Sequence, residues 1–293
     1  MNFRAVLIIC SLLVPGEVFV DVGEHKLCAE VAGTEGPTVI LESGLGDGLA
    51  VWRQVQDAAA KSCRVVAYDR AGLGRSEPGP DPRSSVQIAK ELHELLVGLE
   101  VEPPYVLVGH SVGGFHIRTF AALYPDEVGA LIYVDASHED QERRFRELFP
   151  ERWDLERARI DEYYATGSAT LQQEWKAVRS MVDSGSVPLV DKQLDVPTII
   201  LTATRSSDDA EWIGRTPEGI VAWTELHETW ASSLSNVVHI RTDRSGHYMQ
   251  TEQPSLVVAA IEEACRAVVT RVQLSEERLQ QIARGAQAEP PSR

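Results

Sequence analysis

Ten residues, Tyr105-Val106-Leu107-Val108-Gly109-His110-Ser111-Val112-Gly113-Gly114, constrain this chain more than any others. An apolar run of strand character feeds directly into Gly-His-Ser-Val-Gly, and Phe115 to Leu123 continues with helical spacing. A strand that becomes a helix over so few residues strains the backbone at the corner. It leaves the corner side chain exposed at the strand's C-terminal end. Gly109 and Gly113 flank the corner because a Cβ at either place meets the neighbouring strand or helix. The N–H groups that open the following helix carry partial positive charge, which suits an oxygen becoming negative. Ser111 is the candidate nucleophile.

The rest of the chain repeats this pattern of short apolar run, glycine-rich loop and helix. Glu17 to Val22 and His25 to Ala32 read as a hairpin. Pro37 to Leu41 is a fully apolar run, the mark of a strand buried on both faces, and it ends in Ser43-Gly44-Leu45-Gly46-Asp47-Gly48. Arg64 to Tyr68 stops at Asp69-Arg70-Ala71-Gly72-Leu73-Gly74-Arg75-Ser76, and Ala130 to Val134 at Asp135-Ala136-Ser137-His138. Helical stretches are expected at Val51 to Lys61, Ser85 to Leu99 and Leu256 to Val272, with further strands at Pro197 to Ala203 and Val237 to Arg241. Strands alternating with helices imply a mostly parallel α/β sheet covered on both faces, with its functional loops at the strands' C-terminal ends. From about 139 to 194 charged, helix-forming residues replace the alternation, which predicts a helical lid. The main domain is expected over 17–272, and 273–293 reads as a polar, frayed tail.

Composition excludes some function classes. At 293 residues and 43% hydrophobic content the chain can bury a full core, and its net charge of −16 argues against a nucleic-acid partner. No run is long enough for a stable membrane span. Met1 to Gly16, with Arg4 before the apolar stretch Ala5 to Val14, reads as an export signal for a periplasmic or extracellular protein. The alternative is a cytoplasmic chain whose apolar N-terminus packs on the domain. Removing that segment leaves Cys28, Cys63 and Cys265, an odd number without metal-ligand spacing, read as small packing residues.

The blocks Ser43-Gly44-Leu45-Gly46, Asp69-x-x-Gly72-x-Gly74-x-Ser76, Gly109-x-Ser111-x-Gly113-Gly114 and Ser245-Gly246-His247-Tyr248 jointly resemble the α/β-hydrolase superfamily, serine-nucleophile esterase-like branch. The likeness runs from Val18 to Val272 and implies an eight-stranded sheet with a lid after strand six. It implies a triad in the chain order Ser111, acid, His247, with Leu45 and Val112 giving the backbone N–H groups of an oxyanion hole. The commoner family pattern has His-Gly where this chain has Ser43-Gly44, a change that backbone donors tolerate. The usual acid position, after strand seven, holds Arg205, with Asp208 and Asp209 just beyond. The other position used in the family, the end of strand six, holds Asp135. A subset of bacterial hydrolases is similar in both its Gly-Leu-Gly-Asp loop and its Val-Asp-Ala-x-His segment, which favours Asp135. His110 reads as a packing residue, and Asp69, Arg70 and Ser76 as a structural turn. The implied activity is hydrolysis of a small-molecule carboxylic ester without cofactor. Amide, lactone or carbon–carbon hydrolysis on the same triad, or ligand binding without catalysis, are the alternatives.

Overall fold

A computed structural model describes residues 16–207 and 211–285. Its strands are β1 (Gly16–Asp21), β2 (Lys26–Ala32), β3 (Thr38–Glu42), β4 (Arg64–Tyr68), β5 (Tyr105–His110), β6 (Val128–Val134), β7 (Thr198–Ala203) and β8 (Val237–Thr242). They form one eight-stranded sheet in the order β1-β2-β4-β3-β5-β6-β7-β8. β1, β2 and β4 pair antiparallel, and the remaining pairs are parallel. The helices are α1 (Arg53–Ala59), α2 (Ser85–Gly98), α3 (Gly113–Leu123), α4 (Gln141–Leu148), α5 (Pro150–Ala165), α6 (Ala169–Ser184), α7 (Pro217–Ser232), α8 (Met249–Glu252), α9 (Pro254–Thr270) and α10 (Glu277–Ala283). Residues 1–15 of the expected export segment, and Asp208 and Asp209, lie outside the described residues.

β3, β5 and β7 are buried along their whole length because helices cover both faces of the sheet. Side chains alternate between the faces. Val39, Leu41, Val106, Val108, Ile199 and Leu201 pack with α1 and α9, whereas Ile40, Leu107 and Ile200 pack with α2, α3 and Trp230 of α7. Between β6 and β7 the chain leaves the sheet for α4, α5 and α6. This cap is held by two small apolar clusters. Val178, Met181 and Val182 pack on Val112 and Phe115 at the corner after β5, and Phe145 and Trp153 pack on Ile213 and Trp223.

Three helices differ from the sequence expectation, the shortest being the single turn α8. α7 is absent from it, although the Thr216 side chain accepts the Gly219 N–H as an N-cap, Pro217 opens the helix, and Trp223, Leu226 and Trp230 mark one face. Within the expected frayed tail, α10 buries Leu279 and Ile282 in the core beside α9. A polar average composition concealed a helix with one apolar face.

Four buried histidines set an acid limit on stability. Burial pushes His110 down to about 3, His138 and His227 down to about 4, and His116 well below its ordinary value. The folded chain therefore keeps them neutral, while the unfolded chain protonates them below about pH 6.5. The unfolded state binds more protons in that window, so stability falls as pH drops from about 6.5 toward 4. Urea unfolding is expected to lose roughly 1 kcal/mol per pH unit for each such histidine. A midpoint unchanged between neutral pH and about pH 5 would mean that these rings accept protons in place.

Candidate active site

Ser111 occupies the corner between β5 and α3 with φ +53°, a left-handed conformation that costs a residue bearing a side chain of order 1–3 kcal/mol. The surroundings hold it there. Its carbonyl accepts N–H bonds from Gly114 (3.0 Å) and Ser137 (2.9 Å), and its N–H points to Val134 O at 3.3 Å. The two flanking glycines are required sterically. A Cβ on Gly109 would lie 2.7 Å from Gly113 O, and one on Gly113 would lie 2.6 Å from Glu42 O.

Asp135 follows β6, fully buried and with φ +44°. Its Oδ1 accepts the Ala203 N–H at 3.0 Å and the Trp223 Nε1–H at 2.9 Å. Its Oδ2 accepts His247 Nδ1–H at 2.7 Å and pairs with the Arg215 guanidinium. Burial alone would raise this carboxyl's pKa. The Arg215 charge and the His247 hydrogen bond outweigh it and hold the carboxyl below the ordinary range. Asp135 is thus a carboxylate with all four of its donors fixed before any ligand arrives.

His247 lies on the loop between β8 and α8, with its side chain 23% exposed. With Nδ1 committed to Asp135, Nε2 is the nitrogen left to accept a proton. The buried His110 ring donates from Nε2 to His247 O at 2.9 Å. This corrects the sequence reading of His110 as mere packing, since it fixes the loop that carries the next histidine. Trp212 meets the His247 ring edge-on at 5.6 Å. Arg215, Trp223 and Trp212 were missed in the sequence because they come from the loop before α7 and from α7 itself. Nothing in their local pattern says that they fold back onto β6.

Ser111, Val112, Leu45 and His247 line one cavity of about 430 Å³. Among the described residues, neither the Leu45 nor the Val112 backbone N–H has a protein partner. The far wall belongs to the cap, to the segment before α7 and to α7 itself, including Phe145, Trp153, Tyr163, Trp175, Trp212 and Trp223. The Leu45 loop is anchored from two sides. Trp52 Nε1–H donates to Ser43 Oγ at 2.9 Å, and the Ser43 hydroxyl donates to Gly48 O at 3.1 Å. Arg70, buried after β4, donates to Ser43 O and Gly44 O (both 2.8 Å), to Glu42 Oε1 (2.9 Å) and to both carboxylate oxygens of Glu174 on α6. All five of its N–H donors are used. Asp69 takes the N–H groups of Leu49 (2.8 Å) and Arg75 (2.9 Å), and Ser76 Oγ bonds Asp69 O, so these residues are structural as expected. Arg205 pairs with Glu252.

Removing Glu174 would leave Arg70 buried with one carboxylate instead of two. Breaking a buried ion pair from one side costs about 3–5 kcal/mol. Glu174→Ala is therefore expected to lower Tm by several degrees, and an unchanged melting curve would mean that water replaces the carboxylate without loss.

Among the described residues no group of three or more His, Cys, Asp or Glu side chains gathers to hold a metal ion, and no helix is long and apolar enough to cross a membrane. Among known proteins, the chain is 27% identical over 306 residues to "Probable transporter efuK" of Hormonema carpetanum, covering 86% of this chain and 44% of that one. It therefore spans less than half the length of that relative. It is 26% identical over 232 residues to the uncharacterized protein YqjL of Bacillus subtilis strain 168, covering 78% and 83%. The structure of a thermophilic esterase from Thermogutta terrifontis superposes with a TM-score of 0.55 at 23% identity, over 86% of this chain and 98% of that one. The model of the alpha/beta hydrolase fold matches residues 37–262, more than three-quarters of the chain. With the sheet order and the elbow at Ser111, this establishes that the chain belongs to the alpha/beta hydrolase fold family.

Proposed function

We propose that the chain is a serine hydrolase that cleaves small to medium carboxylic esters through an acyl-enzyme. The observation that carries this reading is the Asp135–His247 hydrogen bond of 2.7 Å at the wall of the cavity into which the Ser111 corner opens. A serine hydroxyl is a weak nucleophile at neutral pH and needs a base to take its proton. His247 Nε2 takes that proton as Ser111 Oγ attacks the ester carbonyl, then returns it to the departing alkoxide. Asp135 holds the imidazole in the tautomer with Nδ1 protonated and stabilises the imidazolium. The Leu45 and Val112 N–H groups receive the carbonyl oxygen as it becomes an oxyanion. Each such donor is worth about 3–4 kcal/mol in the transition state. Water then repeats the cycle against the acyl-enzyme. A cavity of about 430 Å³ walled by cap aromatics suits compact substrates.

The test is hydrolysis of p-nitrophenyl esters from acetyl to palmitoyl, together with a fluorophosphonate probe on the full chain. The expected result is a covalent adduct on Ser111 and the highest kcat/KM at short or medium acyl lengths. A folded protein that neither labels nor turns over any ester would overturn the reading and leave ligand binding without catalysis. Peak activity on long-chain emulsions would overturn the size class.

A further inference from the structure

The three cysteines that follow the N-terminal segment are not equivalent. Cys63 sits in the turn between α1 and β4, and Cys265 lies on α9, 202 residues further along the chain. Both are buried, at 1% and 5% exposure, in the core cluster where α1 and α9 cover the sheet. Their sulfur atoms lie 3.0 Å apart, about 1 Å from the covalent S–S length of about 2.05 Å. Cys28 is also buried, on β2, yet among the described residues its sulfur contacts neither of the other two.

Two thiols need not come this close to satisfy one another, because S–H is a weak donor and sulfur a weak acceptor. The backbone on the Cys63 side is fixed independently: its N–H bonds Ala59 O at 2.9 Å. Cys265 is fixed by the packing of α9, whose Leu256, Ala260, Ile261 and Ala264 are fully buried in the same core cluster. The main chain on both sides thus brings the two sulfurs together without help from the sulfurs themselves.

We propose that Cys63 and Cys265 are a disulfide site, with Cys28 left as a free thiol. The oxidant is a low-molecular-weight or protein disulfide, R–S–S–R. One cysteine thiolate attacks it, forming a mixed disulfide and expelling one R–S⁻. The second cysteine attacks the mixed disulfide, forming the Cys63–Cys265 bond and expelling the second R–S⁻. Two electrons pass to the oxidant and the two thiol protons leave on two R–SH. Both sulfurs are out of reach of solvent in the folded chain, so the exchange takes place while the chain folds. Such oxidants belong to export compartments, which agrees with the export signal expected over residues 1–16. The bond closes a loop containing Ser111, Asp135 and His247, and ties α9 to the sheet beneath the site.

The experiment refolds the full chain from denaturant in a mixture of reduced and oxidised glutathione. The product is then alkylated in denaturant without reductant and digested. The expected result is a Cys63–Cys265 cross-linked peptide pair with Cys28 alkylated, formed equally in Cys28→Ser and absent in Cys63→Ser. The oxidised chain is expected to melt roughly 5–10 °C above its reduced form, a difference that Cys63→Ser abolishes. Full alkylation of Cys63 and Cys265 in refolded, soluble protein would overturn the proposal. So would a cross-link that pairs either of them with Cys28 instead.

Discussion

Replacing Ser111 by alanine is expected to lower kcat/KM for ester hydrolysis by about 10⁵–10⁶-fold while the protein stays folded. That ratio is about 7–8 kcal/mol of transition-state stabilisation, the whole contribution of a nucleophile and base acting as a unit. Little stability should be lost, because the Ser111 hydrogen bonds that fix the corner come from its backbone, not its hydroxyl. Alanine keeps that backbone and its φ of +53°. The residual rate over water would be what the Leu45 and Val112 N–H groups and the cavity supply by themselves. The check is steady-state kinetics on the best p-nitrophenyl ester, with circular dichroism and Tm beside it. Activity within tenfold of wild type in a folded variant would remove Ser111 from the chemistry.

Asp135→Asn should cost about 10⁴-fold in kcat, or about 5 kcal/mol. The side-chain geometry explains why so small a change matters. Oδ1 is held by two donors, the Ala203 N–H and the Trp223 Nε1–H, so asparagine keeps its oxygen there. Its NH₂ must then occupy the Oδ2 position, facing Arg215 and His247 Nδ1. An amide donor at that place demands a deprotonated Nδ1, which puts the imidazole proton on Nε2 and removes the base. Arg215 loses its carboxylate in the same step, so Tm should fall as well. The control is the double variant Asp208→Asn/Asp209→Asn, expected to stay within a few-fold of wild type. If that variant collapses and Asp135→Asn does not, the acid lies after β7 and Asp135 is a structural anchor for Arg215.

The sheet and the elbow were legible because their signals are local. A fully apolar strand, a glycine corner and a helix follow one another within about twenty residues, and Asp135 stands directly at the end of such a strand. The surroundings of Asp135 were not legible. Arg215 and Trp223 lie 80 and 88 residues from it, on a segment whose helix α7 was not expected at all. The role of His110 was hidden for a related reason, since its partner is a backbone carbonyl 137 residues away. Cys63 and Cys265 came from an odd set of cysteines that gave no pairing by arithmetic. In each case the residue type was plain and the contact was set by tertiary packing, which no period or spacing encodes.

The five hydrogen-bond donors of Arg70 are divided between two parts of the molecule. Three meet Glu42 and the carbonyls before Leu45, and two meet Glu174 on the cap. A cap is the obvious segment to exchange when a new substrate range is wanted, since it supplies most of the aromatic wall. Here it is not a free cassette. A transplanted cap without a carboxylate at the place of Glu174 would leave the buried Arg70 guanidinium with Glu42 as its one carboxylate and two N–H donors unpaired. The chain could recover by drawing Arg70 away from the Ser43 and Gly44 carbonyls, which would loosen the loop that presents Leu45. Changes of specificity in this scaffold are therefore expected to keep an acidic residue on α6, or to replace Arg70 and its carboxylate partners together.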